Sequence, residues 1–139
     1  MKPYNLLIVE DDLDDQLLLK LAFADDSINY KLLFVSSVDE FIESIPLWPV
    51  TPDLILLDIN MPILNGFEAL TFLKSSTIYR QIPVIMLTTS EVDADIDRAY
   101  ELGASGYITK PDTHIGLLKI AEHIRLFWFG VAKIPTRLV

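Results

Sequence analysis

Four short apolar runs each end on a side chain able to do chemistry. Leu6-Leu7-Ile8-Val9 meets Glu10-Asp11-Asp12-Leu13-Asp14-Asp15, five acids in six positions. Leu54-Ile55-Leu56-Leu57 meets Asp58-Ile59-Asn60, Val84 to Leu87 meets Thr88-Thr89-Ser90, and Tyr107-Ile108-Thr109 meets Lys110-Pro111. Each group has a plain reading. Carboxylates from Asp12 to Asp15 suit a helix N-terminus, where each contributes only ~0.3–1 kcal/mol. Asp58 reads as a turn residue, Thr88 as a β-branched strand position, Ser90 as part of a cap before Glu91, and Lys110 as a solvated lysine. Together they form a more specific set. Carboxylates can hold a hard divalent cation, one carboxylate can attack phosphorus, and a hydroxyl and an ammonium can steady phosphoryl oxygens. That is the equipment for phosphoryl transfer to an aspartate.

If the strands ending at Val9 and Leu57 are neighbours, Asp58 faces Glu10 and Asp11. Like charges that close are unfavourable unless a cation lies between them. No basic residue lies near them in sequence, which implies a bound metal. Mg²⁺ suits one or two direct carboxylates plus water and phosphate better than Ca²⁺ does. An EF-hand loop is excluded, since no acidic run carries glycine at its sixth position.

Such a site needs elements that bring four run ends to one edge. The runs at Leu6–Val9, Lys31–Val35, Leu54–Leu57, Val84–Leu87 and Tyr107–Thr109 read as strands, most of them apolar enough to be covered on both faces. Helical spacing lies between them. Leu13, Leu17, Leu18 and Leu21 form one stripe, and Val38, Phe41, Ile42 and Ile45 another behind Ser36 or Ser37 as cap. Phe67, Leu70 and Leu73 form a third. Val92, Ile96, Ala99 and Tyr100 form a fourth that Gly103 ends. Five strands alternating with five helices give a doubly wound α/β fold, with ligands beyond the carboxyl ends of its strands. Residues 115 to 129 read as one helix. At about 100° per residue, Leu117, Ile120, Ala121, Ile124, Phe127, Trp128 and Val131 face the core. Ile115, Leu118, Leu126 and Phe129 fall opposite, among Lys119, Glu122 and Arg125, as a partner face. His114 and His123 read as surface positions without a metal partner.

Composition narrows the function classes. The 139 residues are 51% hydrophobic, with mean hydropathy +0.37, which excludes a disordered chain. Eleven basic against twenty acidic residues give a net charge of −9, which argues against nucleic acid as a partner. The absence of cysteine excludes disulfides, zinc-thiolate sites and thiol catalysis, and fits a cytoplasmic setting. No run reads as a signal peptide or membrane span. Residues 1–139 read as a single domain, with 130–139 as a short C-terminal tail.

The chain resembles the response regulator receiver domains of two-component signalling. The resemblance rests on Val9-Glu10-Asp11-Asp12, on Leu56 to Pro62 with Asn65-Gly66, on Leu87-Thr88-Thr89-Ser90, and on Gly103 to Pro111. It implies a flavodoxin-like (βα)5 fold with strand order 2-1-3-4-5. It also implies Asp58 as phosphoacceptor and Glu10 with Asp11 as the acidic pair. Mg²⁺ would be held by Asp11, Asp58 and the Asn60 carbonyl. Thr88 and Lys110 would contact phosphoryl oxygens, and Tyr107 would be the aromatic switch. Asn60 and Ser90 occupy positions where receivers tune dephosphorylation. A cis Lys110–Pro111 bond is implied, to swing the ammonium back over Asp58. The phosphoryl donor would be a sensor histidine kinase, and the protein a stand-alone regulator that autocatalyses its own phosphorylation and dephosphorylation. Phe127 to Pro135 is similar to the ends of small receivers associated with phytochrome-type kinases. Asp112 departs from the apolar residue many receivers carry after Lys-Pro. A homodimer through the fourth helix, fifth strand and fifth helix would pair Asp93, Asp95 and Asp97 with Lys119 and Arg125 around the apolar stripe. Two other readings are an aspartyl-phosphate phosphohydrolase, which would want an acid where Asn60 stands, and an inert module, which the complete acid, threonine and lysine set argues against.

Overall fold

The structure, a computed structural model, describes residues 3–24, 30–61 and 64–135. Strands β1 (Tyr4–Val9), β2 (Tyr30–Val35), β3 (Leu54–Leu57), β4 (Val84–Thr88) and β5 (Gly106–Thr109) alternate with five helices. These are α1 (Leu13–Ala22), α2 (Val38–Ser44), α3 (Gly66–Ser75), α4 (Asp93–Glu101) and α5 (His114–Leu126). All neighbouring strands pair in parallel, in the order β2-β1-β3-β4-β5. The doubly wound fold and the strand order are those expected. Pro62, part of the motif after β3, and residues 136–139 of the expected tail lie outside the described residues.

Alternating side chains of the central strands feed two cores. Leu7, Val9, Ile55, Leu57, Val84 and Met86 pack with α2 and α3. Leu6, Ile8, Leu54, Leu56, Ile85 and Leu87 pack with α1 and α5. Each fully buried leucine or isoleucine contributes about 1.5–3 kcal/mol, so the three central strands form a rigid platform for the residues at their ends. Ser37 caps α2 by accepting the Glu40 N–H at 3.1 Å, and Asn65 with Glu68 closes a reciprocal capping box on α3. Gly103 follows α4 at φ 104°, a left-handed position suited to glycine.

Three helical faces differ from the sequence reading. On α1 the buried residues are Leu19 and Ala22, continued by Phe23, while Leu13, Leu17 and Leu21 are exposed at 74, 57 and 62%. The run Leu17-Leu18-Leu19 leaves the apolar phase open by one residue, and burial followed Leu19. On α4 only Ala99 is buried; Val92 and Tyr100 lie in solvent. At the C-terminal side, α5 stops at Leu126 and a π-helical turn covers Phe127–Val131. Its wider winding breaks the 100° count. Phe127 and Val131 turn outward, whereas Phe129 is buried and stacks on Tyr4 and Tyr30 with ring centroids 4.6 and 5.8 Å apart. Phe129 therefore belongs to the core and not to the partner face. Arg125 leaves that face too, since its buried guanidinium donates to the Ala22 carbonyl at 2.7 Å and ties α5 to the end of α1. Among the described residues no helix is long and apolar enough to cross a membrane.

Candidate functional site

The carboxyl edge of the sheet gathers the acids. The Glu10 N–H donates to Val35 and the Asp58 N–H to Val9, at 3.0 and 3.3 Å, so both residues extend the ladder just past their strands. Glu10 and Asp58 are buried and Asp11 is half-buried. One carboxylate oxygen from each of Glu10, Asp11 and Asp58 lies within 4.8 Å of the others. The sequence reading placed these three together, and the structure does so. Asp12 takes the plainer role, capping α1 through the Asp15 N–H at 3.0 Å.

Lys110 enters from the far side. Its N–H donates to the Thr88 carbonyl at 2.7 Å, which docks the end of β5 on β4. Its ammonium donates to Glu10 Oε1, to Asp15 Oδ2 at 2.9 Å and to Asp58 Oδ2 at 3.3 Å. The expected cis Lys110–Pro111 bond is not found: the described residues contain no cis peptide. The Lys110 ammonium reaches Asp58 without it. The β4–β5 register already sets its backbone at the mouth, and a four-carbon stem spans the rest. The ammonium also supplies the counter-charge that seemed missing near the acids in sequence.

Electrostatics follow from that crowding. Burial pushes the Glu10 carboxyl up from 4.5 to about 7; the Lys110 hydrogen bond and charge oppose this, and the Asp58 charge adds to it. Burial alone would lower Lys110, but the Glu10 hydrogen bond, the Asp58 charge and the Asp15 hydrogen bond outweigh it and hold the ammonium above its ordinary value. Between pH 4.5 and about 7 the folded protein keeps a proton on Glu10 that the unfolded chain has lost. Metal-free stability should therefore fall as pH rises through that window. Lys110 stays charged throughout it, since its contribution is lost only as pH climbs past 10.5 toward its raised value. Urea midpoints of wild type minus Glu10→Gln should slope downward across the window; a flat difference would contradict the assignment.

The remaining expected residues flank the acids. Thr88 is fully buried at the end of β4, and its Oγ1 accepts the Ser90 N–H at 3.4 Å. Tyr107 packs its ring against the α2–α3 core and donates its hydroxyl to the Ser90 carbonyl at 3.0 Å. Ser90 Oγ donates to Asp95 at 2.7 Å, so this serine joins the Thr88 loop, the Tyr107 ring and α4. Asn60 is exposed and donates its backbone N–H to Asp58 Oδ1 at 3.2 Å. His114 and His123 are exposed, as expected.

Sequence reasoning missed the parts played by Asp15 and Gln16, and gave Gly66 no role beyond its place in the Asn65-Gly66 motif. Asp15 was assigned to the helix cap, yet its carboxylate meets Lys110. Its place in the first turn of α1, three residues after the Asp12 cap and facing the carboxyl edge of the sheet, was the available signal. Gln16 donates to the Glu10 carbonyl and to Ser36 Oγ, bracing the turn after β1. Gly66 opens α3 directly against the phosphoacceptor candidate. An added Cβ would sit 2.2 Å from the Asp58 carbonyl oxygen and 2.9 Å from the Ile59 Cα.

The donor set fits a hard divalent cation: three carboxylates converge, all through oxygen. The buried aspartate in contact with a lysine, set among acids, lies at the carboxyl edge of the sheet, where doubly wound folds bind their ligands. The profile of the response regulator receiver domain matches residues 6–122, and the chain belongs to that family. Response regulator Rcp1 of Synechocystis sp. is 32% identical over 144 residues, covering 96% of this chain and 95% of Rcp1. Among solved structures, the phosphorylated cyanobacterial phytochrome response regulator RcpA superposes with a TM-score of 0.92 at 32% identity, covering 96% of this chain and 99% of RcpA. The Mn²⁺-bound form of Rcp1 superposes at 0.87 with 31% identity, covering 96% of this chain and all of Rcp1. The protein is thus a receiver-domain response regulator related to phytochrome response regulators. Receiver domains are generally non-enzymatic phosphoacceptors.

Proposed function

We propose that this protein accepts a phosphoryl group on Asp58 from a sensor histidine kinase of the phytochrome type and relays the signal through a changed surface. The observation that carries the reading is the contact of buried Asp58 with the Lys110 ammonium, beside Glu10 and Asp11. In the transfer, an Asp58 carboxylate oxygen bonds to phosphorus as the phosphorus–nitrogen bond of the donor histidine breaks and the imidazole leaves with a proton. Asp11, Asp58 and the Asn60 carbonyl would hold Mg²⁺, with Glu10 as their acidic neighbour, and the cation would offset charge between donor and acids. Lys110 and the Thr88 hydroxyl take the outer phosphoryl oxygens, and water later returns the carboxylate. Both steps are catalysed by the domain's own residues. When Thr88 turns to the phosphoryl group, the Ser90 carbonyl that holds Tyr107 shifts, which makes Tyr107 the reporter of the change.

In this reading residues 1–139 are one cytoplasmic receiver domain with 130–139 as its tail, and nucleic acid and membrane are not partners. The exposed ridge of Leu13, Leu17 and Leu21, one turn from the acidic mouth, suits a protein donor better than a small one. Self-association through α4, β5 and α5 remains part of the reading without Phe129 and Arg125. It rests on Asp93, Asp95 and Asp97 opposite Lys119, with Ile115 and Leu126 exposed between. Leu118 opens instead onto a cavity shared with Leu18 and Leu21 of α1. Sedimentation should show a heavier species with beryllofluoride and Mg²⁺, and Lys119→Glu should abolish it. A monomer in every condition removes the dimer.

Intact mass after treatment with a small phosphodonor tests the central claim. One phosphoryl group should be gained with Mg²⁺ and none in chelator. Equal uptake in both would overturn the cation's part, and no uptake in either would overturn the phosphoacceptor.

A further inference from the structure

Lys110 is the one cation that the described residues place among the acids, and it has three partners of unequal standing. Glu10 and Asp58 are buried, with side chains 2 and 9% exposed, whereas Asp15 is 37% exposed at the rim. Two of the three partners, Glu10 and Asp58, also belong to the carboxylate cluster that fits a divalent cation. An ammonium seated on Glu10 and Asp58 and a cation bound to the same cluster draw on the same two carboxylates. A largely buried ammonium cannot simply be released, because an unpaired charge in that setting costs several kcal/mol.

Resting on the phosphoacceptor reading, we propose that Asp15 is a positioning residue that gives the Lys110 ammonium a partner outside the Glu10–Asp11–Asp58 cluster, so that these carboxylates can take a divalent cation without leaving the ammonium unpaired. The geometry suits that task. Asp15 lies on the first turn of α1, fixed by the Asp12 cap, and its Oδ2 is nearer to Lys110 than the Asp58 oxygen is. A cavity of about 170 Å³, lined among others by Asp15, Lys110, Asp112 and His114, leaves space beside both groups. The plain alternative is a rim ion pair that only adds negative potential. That alternative predicts the same effect from any nearby acid, with or without the lysine.

Mn²⁺ binding, read from the electron paramagnetic resonance of the free ion on the full chain, separates the two. Asp15→Asn should weaken Mn²⁺ about fivefold, the upper scale of one partly exposed ion pair. Asp14→Asn, the same charge change on an exposed acid of the same helix, should shift it by less than about twofold. In a Lys110→Met background the effect of Asp15→Asn should vanish, because no ammonium needs holding. Equal binding by wild type and Asp15→Asn overturns the proposal. So does an equal loss in Asp14→Asn, or a loss that persists without Lys110. Asp11→Asn reports on the underlying reading separately: if wild type binds Mn²⁺ no better than Asp11→Asn, the cation site itself falls and the proposal with it.

Discussion

Asp58→Asn is expected to take up no phosphoryl group from either a kinase or a small phosphodonor, while melting at or above the wild-type temperature. The amide oxygen is a poor nucleophile and cannot form the acyl phosphate, so the loss should be complete and not graded. Stability should hold or rise. The substitution keeps the shape and can still accept the Asn60 N–H, while removing one charge from a cluster whose oxygens lie within 4.8 Å. Phosphopeptide mapping and a thermal melt on one preparation check both halves. Wild-type uptake by the variant would move the phosphoacceptor to another acid.

Gly66→Ala should be nearly as damaging by an unrelated route. The new methyl would meet the Asp58 carbonyl oxygen at 2.2 Å, and the three nearest atoms are all backbone, not the yielding end of a flexible side chain. The loop between β3 and α3 must shift, at a cost of about 2 kcal/mol. Asp58 would be carried with it, and a displacement near 1 Å can slow an aligned reaction about a hundredfold. Denaturant midpoint and initial phosphorylation rate should both fall. A variant that keeps both would mean that the approach relaxes without consequence.

The strands and most site positions were legible in the sequence because two strong signals coincide there. Runs such as Leu54–Leu57 must be covered on both faces, and a charged residue at the end of such a run has nowhere to lie but the sheet's edge. Glu10 and Asp58 follow from that, whereas Lys110 ends a half-buried edge strand and was placed only by its company with the other run ends. The α1 face was illegible for a local reason. Three consecutive leucines fit two helical phases equally well, and only packing against Ile124 and Ala121 in the shared core decides between them. The α5 face failed where the winding changes, since no periodicity fixed at 100° survives a π turn. Asp15 was hidden by its company, one of the acids from Asp12 to Asp15 at a helix start, where capping explains each until a lysine about a hundred residues away is brought alongside.

The stacking of Phe129 on Tyr4 and Tyr30 has a bearing on how the chain reaches its fold. The aromatic layer closing one core joins β1 and β2 to a turn beyond α5, at almost the largest sequence separation the described chain allows. Contacts so distant form only after the loops between them have closed, which places them late on the folding route. Until then the face of β1 and β2 that carries Tyr4 and Tyr30 stays open to water, and to other chains. A nascent chain that has made β1 through β4 still lacks the piece that covers its first strand, and in that interval it carries its greatest risk of association.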